Sequence, residues 1–397
     1  MTKWQKVRLG DVAYMNQNTY SPKEEWKFVN YLDTGNITMN KIEEIQHINT
    51  STNKLPSRAR RKVKLNSIIY STVRPNQLHY GIIKDQPDNF LVSTGFTVID
   101  VDNDKVIPDY IYYVLTQKEI TEHLQAIAEQ SVSAYPSIKP SDIEDLEIIL
   151  PDKKKQKKIV SILGSIDEKI KQNAGINNNL EQQAKALFHS LFVDNANPTW
   201  KDGVLSDIGT IVAGGTPSKS KPEYYSEHGI AWITPKDLSL NKSKFISHGE
   251  TDISELGFSK SSATKMPAGT VLFSSRAPIG YIAIAANEVT TNQGFKSVVP
   301  NENVGTAFMY YLLKWLLPTI ERMSSGSTFK EISGAGMKAV PVIIPDNETI
   351  ENFNAFCVPI FQQQEILEAE NFRLSNIRDT LLPKLMSGEL DVSNIDL

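Results

Sequence analysis

The feature that most constrains this chain is an internal repeat that spans nearly half of its 397 residues. The stretch SVSAYPSIKPSDIEDLEIILPD (131–152) returns 194 residues later as SGSTFKEISGAGMKAVPVIIPD (325–346). Serines, an aromatic position, aliphatic positions and a final Pro-Asp coincide. The offset drifts only between 194 and 203 along the chain. The repeated unit takes up nearly half of the chain and is therefore too long for a solenoid repeat, so the sequence predicts a duplicated pair of domains.

The first part of each copy has the sequence pattern of a globular α+β domain. Short β-type runs are separated by Gly, Pro, Asn and Asp, and one helix is expected over 108–128 and again over 304–323. Four further pairs of segments carry the repeat through these domains: WQKVRLGDV (4–12) with WKDGVLSDI (200–208), IIYSTVRP (68–75) with VLFSSRAP (271–278), STGF (93–96) with NQGF (292–295), and YYVL (112–115) with YYLL (310–313).

The final part of each copy carries a heptad pattern, with apolar residues at alternating steps of four and three that are typical of a coiled coil. The two patterns are in the same register, and each has a polar residue mid-seam, a common way to fix register. Because the first helix delivers the chain to the second domain, two helices that pair along their length must be antiparallel. The alternative is that each helix packs only on its own domain. The predicted seam comprises Ile159, Leu163, Ile166, Ile170, Asn177, Leu180 and Leu187 in the first helix and Ile360, Leu367, Asn371, Leu374 and Leu381 in the second.

The predicted fold class is therefore α+β. Two homologous globular domains, β-rich with short helices, are separated by two long antiparallel coiled-coil helices with pseudo-two-fold symmetry. Pro359 lies inside the second heptad run and predicts a kink or a delayed start of that helix, and Pro383 predicts its end or a bend. The predicted boundaries are 1–151 for the first domain, 152–195 for the first helix, 196–345 for the second domain, and 346–397 for the second helix and a C-terminal tail.

The composition places the chain among soluble proteins of a reducing compartment. The single cysteine, Cys357, excludes internal disulfides. The start MTKWQKVRLGDV lacks the apolar core of a secretory signal, and the longest apolar patch, 310–318, is too short to span a bilayer. We therefore expect a cytoplasmic protein with no membrane segment. The net charge of −4 hides an asymmetry, because 346–397 holds ten acidic and three basic residues, a net −7, which leaves the other residues at −4 + 7 = +3.

No catalytic motif emerges from the sequence. GGTPSKS (214–220) is glycine-rich but has the wrong spacing for a phosphate-binding loop, and the six histidines lack metal-ligand spacing. Two windows instead suggest a basic surface. Residues 45–84 contain eight Lys or Arg and no acidic residue, and the equivalent 256–287 is also free of acids.

Arg, Asn and Gln can read base edges through paired hydrogen bonds, and Lys and Arg neutralise phosphates. A solvated charged loop is the alternative for each window. Five lysines between 153 and 158 lie at the start of the first helix, where positive charge is unfavourable because of the helix dipole. DNA phosphate, an acidic partner or solvent is therefore expected to offset their charge. The predicted DNA-binding residues are Arg58, Arg60, Arg61, Lys62, Lys64, Arg74, Asn76, Gln77, Tyr135, Lys219, Lys221, Lys260, Lys265, Arg276, Gln293, Phe329 and Lys330.

Five segments of the chain are distinctive: PDKKKQKKIVSILGSIDEKI (151–170), LEQQAKALFHSLFVD (180–194), GGTPSKSKPEYY (214–225), SSGSTFKEI (324–332) and LLPKLMSGELDV (381–392). In these segments, and in its architecture over essentially its whole length, the chain resembles the DNA specificity subunit of type I restriction–modification systems. The resemblance implies that each globular domain is a target-recognition domain for one half of a bipartite DNA site. It implies that the helices set the spacing and bind two modification subunits, with acidic residues of the second helix (Glu365, Glu368 and Glu370) facing protein.

The resemblance further implies that the chain is not itself an enzyme and binds no cofactor or metal. S-adenosylmethionine, ATP and magnesium are expected on partner subunits, which methylate adenine or translocate and cleave double-stranded DNA. The chain departs from the family pattern at the start of the second helix, where Ile350 stands in the place that Gln156 occupies in the first. Two alternatives are a two-headed scaffold that binds only proteins and a methyltransferase or nuclease with degenerate motifs.

Overall fold

The computed structural model describes residues 4–131, 135–276, 278–326, 330–393 and 395. The chain divides into two compact units. Unit 1 comprises residues 1–168 and 374–397, and unit 2 comprises residues 169–373. Each unit contains one globular α+β domain together with portions of two long helices, which confirms the predicted fold class.

Unit 1 is built from short strands and a few helices, and its buried apolar residues form three separate clusters among the described residues. Strands such as β8 and β11 are buried on both faces, which is why they read as continuous apolar runs in the sequence. The elements are β1 (Gln5–Arg8), β2 (Ala13–Met15), β3 (Phe28–Leu32), β4 (Ile37–Thr38), β5 (Lys41–Ile42), β6 (Gln46–Asn49), β7 (Ala59–Lys62), β8 (Ile68–Ser71), β9 (Tyr80–Ile82), β10 (Phe90–Ser93), β11 (Phe96–Val101), α1 (Pro108–Leu115), α2 (Lys118–Glu129), α3 (Pro140–Glu144) and β12 (Glu147–Leu150).

The strands of unit 1 form two four-stranded sheets and two smaller pairs. One sheet has the order β2-β11-β8-β9 and is antiparallel throughout. The other has the order β6-β3-β10-β7, with β3 and β10 parallel. Strand β1 pairs with β12, so the start of the domain is bonded to the strand that leads out of it.

Unit 2 begins its globular domain after the first long helix, α4 (Lys153–His189), and a π-helical turn at Ser190–Asp194. The elements are β13 (Lys201–Val204), α5 (Leu205–Ile208), β14 (Gly209–Ala213), β15 (Tyr225–Ser226), β16 (Trp232–Ile233), α6 (Pro235–Leu240), β17 (Phe245–Ile246), β18 (Asp252–Ile253), α7 (Glu255–Ser259), β19 (Val271–Ser275), β20 (Ile279–Ala285), β21 (Thr290–Thr291), β22 (Lys296–Pro300), α8 (Thr306–Met323), α9 (Gly334–Lys338) and β23 (Pro341–Ile344), followed by the second long helix, α10 (Asn347–Ser387).

The topology of unit 2 repeats that of unit 1, as the sequence predicts. Its main sheet has the order β14-β22-β19-β20, the counterpart of β2-β11-β8-β9, with β17 added at one edge. The parallel pair β16-β21 matches β3-β10, and β13-β23 matches β1-β12. The units diverge in the second layer, where unit 2 has short strand pairs and the helices α6 and α7 in place of β6 and β7.

In unit 1 the opening of α4 packs against the C-terminal part of α10 in antiparallel fashion. Lys158 donates to the carbonyl oxygens of Ser393 and Ile395, both at 2.8 Å, whereas Asp167, further along α4, accepts from Arg378 at 3.0 Å. The opening lysines are thus partly compensated by the chain itself. Lys155 lies 3.8 Å from Asp391, a second contact of this kind.

In unit 2 the rest of α4 packs against α10, again antiparallel. Asn371 donates to the carbonyl oxygen of Ile170 at 3.4 Å and accepts from Asn173 at 2.9 Å, whereas Gln364 donates to the carbonyl oxygen of Asn177 at 3.2 Å. The polar mid-seam positions therefore do join the helices. Asn371 pairs with Asn173, and Asn177 pairs with Gln364.

Three expectations about helices need correction. The helix expected over 108–128 is two helices, because the chain leaves helical geometry between α1 and α2 at Thr116 and Gln117. Helix α10 starts at Asn347 and continues through Pro359 and Pro383 to Ser387, so the delayed start and the end at Pro383 are wrong, whereas a kink or bend at either proline stays a prediction. At Pro359, flanking side chains such as Cys357 and Ile360 are buried in the core of unit 2, and this packing outweighs the lost backbone hydrogen bond.

Some residues of the predicted helix–helix seam also pack against a globular domain. Ile159 and Leu163 are buried in the same core as α1 of unit 1, and Phe188 contacts the rings of Phe308 and Tyr311 on α8 in unit 2. Mutual packing and packing on a globular domain are therefore not exclusive alternatives. Each helix packs both on its partner helix and on a domain.

Candidate nucleic-acid interface

The loops that carry polar and basic side chains lie together at one edge of each domain. In unit 1, antiparallel pairing places the end of β2, the start of β11, the end of β8 and the start of β9 at the same edge. The parallel pair β3 and β10 ends there as well. We call this the loop edge of unit 1, comprising residues 16–20, 33–36, 72–79, 94–95 and 135–138.

A set of backbone hydrogen bonds holds the loop edge of unit 1 together. Thr72 donates to the carbonyl oxygen of Gly95 from its backbone nitrogen at 2.8 Å and from its hydroxyl at 2.9 Å. The carbonyl of Thr72 accepts from Ile138 at 2.9 Å, and the carbonyl of Arg58 accepts from Thr94 at 2.9 Å. Four segments distant in sequence are thereby fixed beside one another, which preorganises the side chains that they carry.

Unit 2 has an equivalent loop edge, comprising residues 214–221, 234–241, 275–279, 292–294 and 330–332, of which 277 is not described. Ser275 donates to the carbonyl oxygen of Gly294 from its backbone nitrogen at 2.7 Å and from its hydroxyl at 3.0 Å. Its own carbonyl accepts from Ile332 at 3.1 Å. These bonds reproduce those of Thr72, so the repeat seen in the sequence extends to the atoms that hold the loops.

Tight backbone packing explains the glycine pair in GGTPSKS. A Cβ atom on Gly214 would lie 2.0 Å from the carbonyl oxygen of Asn292, and one on Gly215 would lie 2.3 Å from the nitrogen of Ala263. The indole of Trp232 donates to the carbonyl of Gly215 at 3.0 Å. The glycines let the segment approach its neighbours, and the segment then presents Lys219 at the surface.

The predicted DNA-binding residues of unit 1 separate into two groups. The first group lies at the loop edge or next to it. Arg74 adopts a left-handed backbone conformation with φ of 47° and carries its guanidinium 5.2 Å from the centre of the Tyr135 ring. Both side chains are exposed. The other exposed members of this group are Arg58, Asn76 and Gln77.

The second group lies on β7 or towards the opposite edge, and its two lysines are paired with carboxylates. Lys62 pairs with Glu24, and Lys64 lies 3.6 Å from the buried carboxylate of Asp100. Arg60 and Arg61 are half-buried on β7. Burial lowers the pKa of the Arg61 guanidinium, and its buried Nε has no hydrogen-bond partner among the described residues. The basic window of the sequence is therefore not one continuous surface.

In unit 2 the loop edge holds Lys219, Gln293, Arg276 and Lys330. Arg276 lies 3.5 Å from Glu331, and Gln293 accepts a hydrogen bond from the Thr216 hydroxyl. Of these residues, Lys219, Gln293 and Thr216 line a cleft of about 670 Å³.

The remaining candidates of unit 2 are less well placed. Lys221 lies 3.8 Å from Glu223, Lys265 pairs with Glu288 at 3.0 Å, and Lys260 is exposed just after α7. Phe329 lies outside the described residues.

Sequence reasoning missed the uncharged polar members of the loop edge, such as Thr34, Thr94 and Asn292. A search for basic residues could not find them. The repeated segments STGF and NQGF already marked their position, because a motif that recurs at a strand start in both copies points to a shared edge. Glu365, Glu368 and Glu370 were expected on the outer face of the second helix, towards a protein partner, and the outward direction is wrong for two of them. Glu368 accepts from the backbone of Lys244, and Glu370 from Asn173 at 2.8 Å, so both face into unit 2.

The long helices present a second surface in unit 2. Val358, Ile366 and Phe372 are exposed on α10, and because successive residues turn by about 100° around a helix they lie within an arc of about 120°. The side chain of Phe372 is 68% exposed. Exposed apolar side chains that share a helix face are typical of a protein-binding surface.

No helix in the described part of the chain combines the length and the apolarity needed to cross a bilayer. Within the same residues, His, Cys, Asp and Glu side chains form no group of three or more that could hold a metal ion.

Comparison with known families matches the model described as the type I restriction modification DNA specificity domain to residues 1–182 and 197–369. The chain belongs to this family. The two matched segments correspond to the two copies of the repeat, so the resemblance inferred from the sequence is confirmed.

Individual relatives agree with the family assignment. The specificity subunit of the type I restriction enzyme HindI of Haemophilus influenzae is 28% identical to this chain over 98% of the chain and 100% of the relative. The MjaIX specificity subunit of Methanocaldococcus jannaschii is 42% identical over 38% of this chain and 35% of its own length. The crystal structure of the type I S subunit from M. genitalium shares the fold, with a TM-score of 0.59, 18% identity, and coverage of 97% of this chain and 96% of that one.

Proposed function

We propose that this chain is the DNA specificity subunit of a type I restriction–modification complex, in which each globular domain reads one half of a bipartite DNA site. The observation that carries the proposal is the pair of equivalent loop edges. Each is fixed by the same hydrogen bonds, around Thr72 in one domain and Ser275 in the other, and each carries exposed cationic and amide side chains. Such side chains bind phosphates and base edges.

The two loop edges are alike in framework and different in side chains, which is what two half-sites of different sequence require. Unit 1 presents Arg58, Arg74, Asn76 and Gln77, whereas unit 2 presents Lys219, Arg276, Gln293 and Lys330. Uncharged loop-edge residues such as Thr94 and Asn292 add further donors and acceptors for base readout.

The long helices serve assembly in this proposal. The exposed face of α10 with Val358, Ile366 and Phe372 supports docking of modification subunits, two per complex, with restriction and translocase subunits joining them. The chain contributes recognition and no chemistry. S-adenosylmethionine, ATP and magnesium are held by the partner subunits. The complex acts on double-stranded DNA in the cytoplasm.

Methylation sequencing of genomic DNA tests this function. Cells that carry the gene together with its modification partner are expected to show one bipartite methylated motif that is absent when the gene is deleted. A matched strain that carries the partner alone controls for methylation by other enzymes. A methylation pattern that does not change when the gene is deleted would contradict the proposal, and would favour a scaffold that binds only proteins.

A further inference from the structure

A buried lysine in unit 2 joins the globular domain to both long helices. Lys244 lies just before β17, and its side chain is 5% exposed. Its ammonium is 2.6 Å from the carboxylate of Glu181 on α4 and 2.5 Å from the amide oxygen of Gln364 on α10. Lysine is almost never buried to this extent unless it is paired. A single cation therefore connects three separate parts of unit 2.

The backbone at the same point is held as well. The amide nitrogens of Lys244 and Phe245 donate to the two carboxylate oxygens of Glu368 on α10, at 3.0 and 3.1 Å. The ammonium also lies 3.3 Å from the hydroxyl of Tyr311 on α8 and 4.2 Å from the centre of the Phe361 ring. The side chain and the backbone of Lys244 thus hold the start of β17 against the helices. We call the contacts of Lys244 with Glu181, Gln364 and Glu368 the clamp.

The cluster contains two cations and two carboxylates, and burial still lowers the pKa of Lys244 and raises the pKa of Glu368. Lys244 and Lys314 face Glu181 and Glu368, and Lys314 contacts Glu181 at 2.8 Å. Burial disfavours the charged form of Glu181, but the two lysines outweigh it and lower the pKa of its carboxyl to about 2. Removal of one member of a buried ion pair is strongly destabilising, because its partner is left charged without compensation. Loss of Lys244 is therefore expected to weaken the attachment of β17 to the two helices.

A continuous path of strands leads from the clamp to the loop edge. Strand β17 is hydrogen-bonded to β20, with Phe245 opposite Ile284. Strand β20 pairs in turn with β19, which ends at Ser275 in the loop edge. Because a hydrogen-bonded sheet moves as a body, the orientation of the loop edge on the helices of unit 2 depends on where Lys244 is held.

Unit 1 is constructed differently at the equivalent place. The hairpin β4-β5 lies beside β9, as β17 lies beside β20, and its turn residue Met39 is half exposed. Met39 borders a cleft of about 530 Å³ whose walls also include Asp167 and Arg378. In unit 2 the cation comes from the globular domain and lies between the helices, whereas in unit 1 the Asp167–Arg378 ion pair of the two helices lines this cleft.

We propose that Lys244 is a positioning residue that sets how strictly the complex discriminates the spacing between the two half-sites. The proposal rests on the function proposed above. Lys244 is buried and away from the loop edge, so its loss leaves the bases read by the domain unchanged. What changes is the freedom of that domain to accept a half-site displaced by one base pair.

Binding of synthetic duplexes to the assembled complex tests the proposal. The duplexes carry the methylated motif of the wild-type system with its native spacer, or with a spacer one base pair longer or shorter. For Lys244→Met we expect the preference for the native spacer to fall by about tenfold, while both half-site sequences stay the same. Lys244→Arg, which keeps the charge and the donors, is expected to preserve the preference.

Lys242→Met is the matched control, because Lys242 lies in the same segment but is exposed. It should leave spacer preference unchanged. If Lys244→Met fails to assemble, the double variant Glu181→Leu with Lys244→Met removes both buried charges and relieves the uncompensated one. The inference is overturned if the single or double variant assembles and keeps the wild-type spacer preference, or if Lys242→Met loses it equally. A wild-type complex that binds no bipartite site would refute the proposed function itself.

Discussion

Replacing Glu181 by glutamine should destabilise unit 2 in a way that depends on pH. The carboxyl of Glu181 is buried, and its charged form is stabilised by Lys244 and Lys314 strongly enough to lower its pKa from the usual 4.5 to about 2. A pKa difference of this size corresponds to about 3 kcal/mol of unfolding free energy. Because the folded-state pKa is the lower one, this stability is present above pH 4.5 and is lost as the pH falls towards 2.

The comparison between wild type and Glu181→Gln isolates this effect. At pH 7 the variant should be less stable by about 3 kcal/mol, since Lys244 loses its counter-ion. Between pH 5 and pH 3 the difference should shrink by about half, because the wild-type carboxyl becomes protonated in the unfolded chain.

Urea unfolding followed by tryptophan fluorescence measures the difference. Replacement of Trp4 and Trp26 by Phe in both proteins leaves Trp200, Trp232 and Trp315, all in unit 2, as the reporters. Glu365→Gln on the same unit's α10, where the side chain is exposed, is the control and should show little change at any pH. A stability difference that is constant from pH 7 to pH 3, or that grows as the pH falls, would refute the reasoning.

Two further predictions concern DNA binding. Replacement of Arg58 and Arg74 by Ala should weaken DNA binding by the complex and reduce the slope of log affinity against log salt concentration by about 0.9 for each phosphate that is no longer neutralised. Replacement of the ion-paired Lys64 and Lys84 by Ala should leave this slope unchanged. Equal slopes for the two double variants, measured by gel shift, would contradict the placement of Arg58 and Arg74 at the DNA. Ile170 and Asn371 face each other in unit 2, and insertion of one heptad after each residue lengthens each helix by about 10 Å. The spacer of the methylated motif should then become longer by about one to three base pairs. An active complex that keeps its original spacer would show that the helices do not set the distance.

The sequence predicted the architecture because the repeat and the heptad pattern are themselves consequences of packing. Residues such as Ile148 and Val342 recur because β12 and β23 each bury alternate side chains before a long helix begins. The same reasoning failed at Pro359, where burial of neighbouring side chains keeps the helix continuous. Local propensity alone does not contain that information.

The candidate interface could be predicted only in part. Charge counting found Arg58 and Arg74 at the loop edge, but it could not distinguish them from Lys64 and Lys84, which are paired with carboxylates distant in sequence. Lys244 gave no signal at all, since a lysine at the end of the polar run NKSK (241–244) reads as part of a solvated loop. Its partners Glu181 and Gln364 lie 63 and 120 residues away, and only the fold brings them to it.

The central claim is that each globular domain reads one half of the DNA site, and exchange of a single domain tests it most directly. Residues 1–151 are replaced by the corresponding domain of a specificity subunit with a different known motif, and the methylated motif of the resulting complex is sequenced. The expected result is a hybrid motif in which one half-site has changed and the other is identical to that of the wild type. A complex that assembles and methylates DNA, but whose two half-sites both change or both stay the same, would contradict the claim.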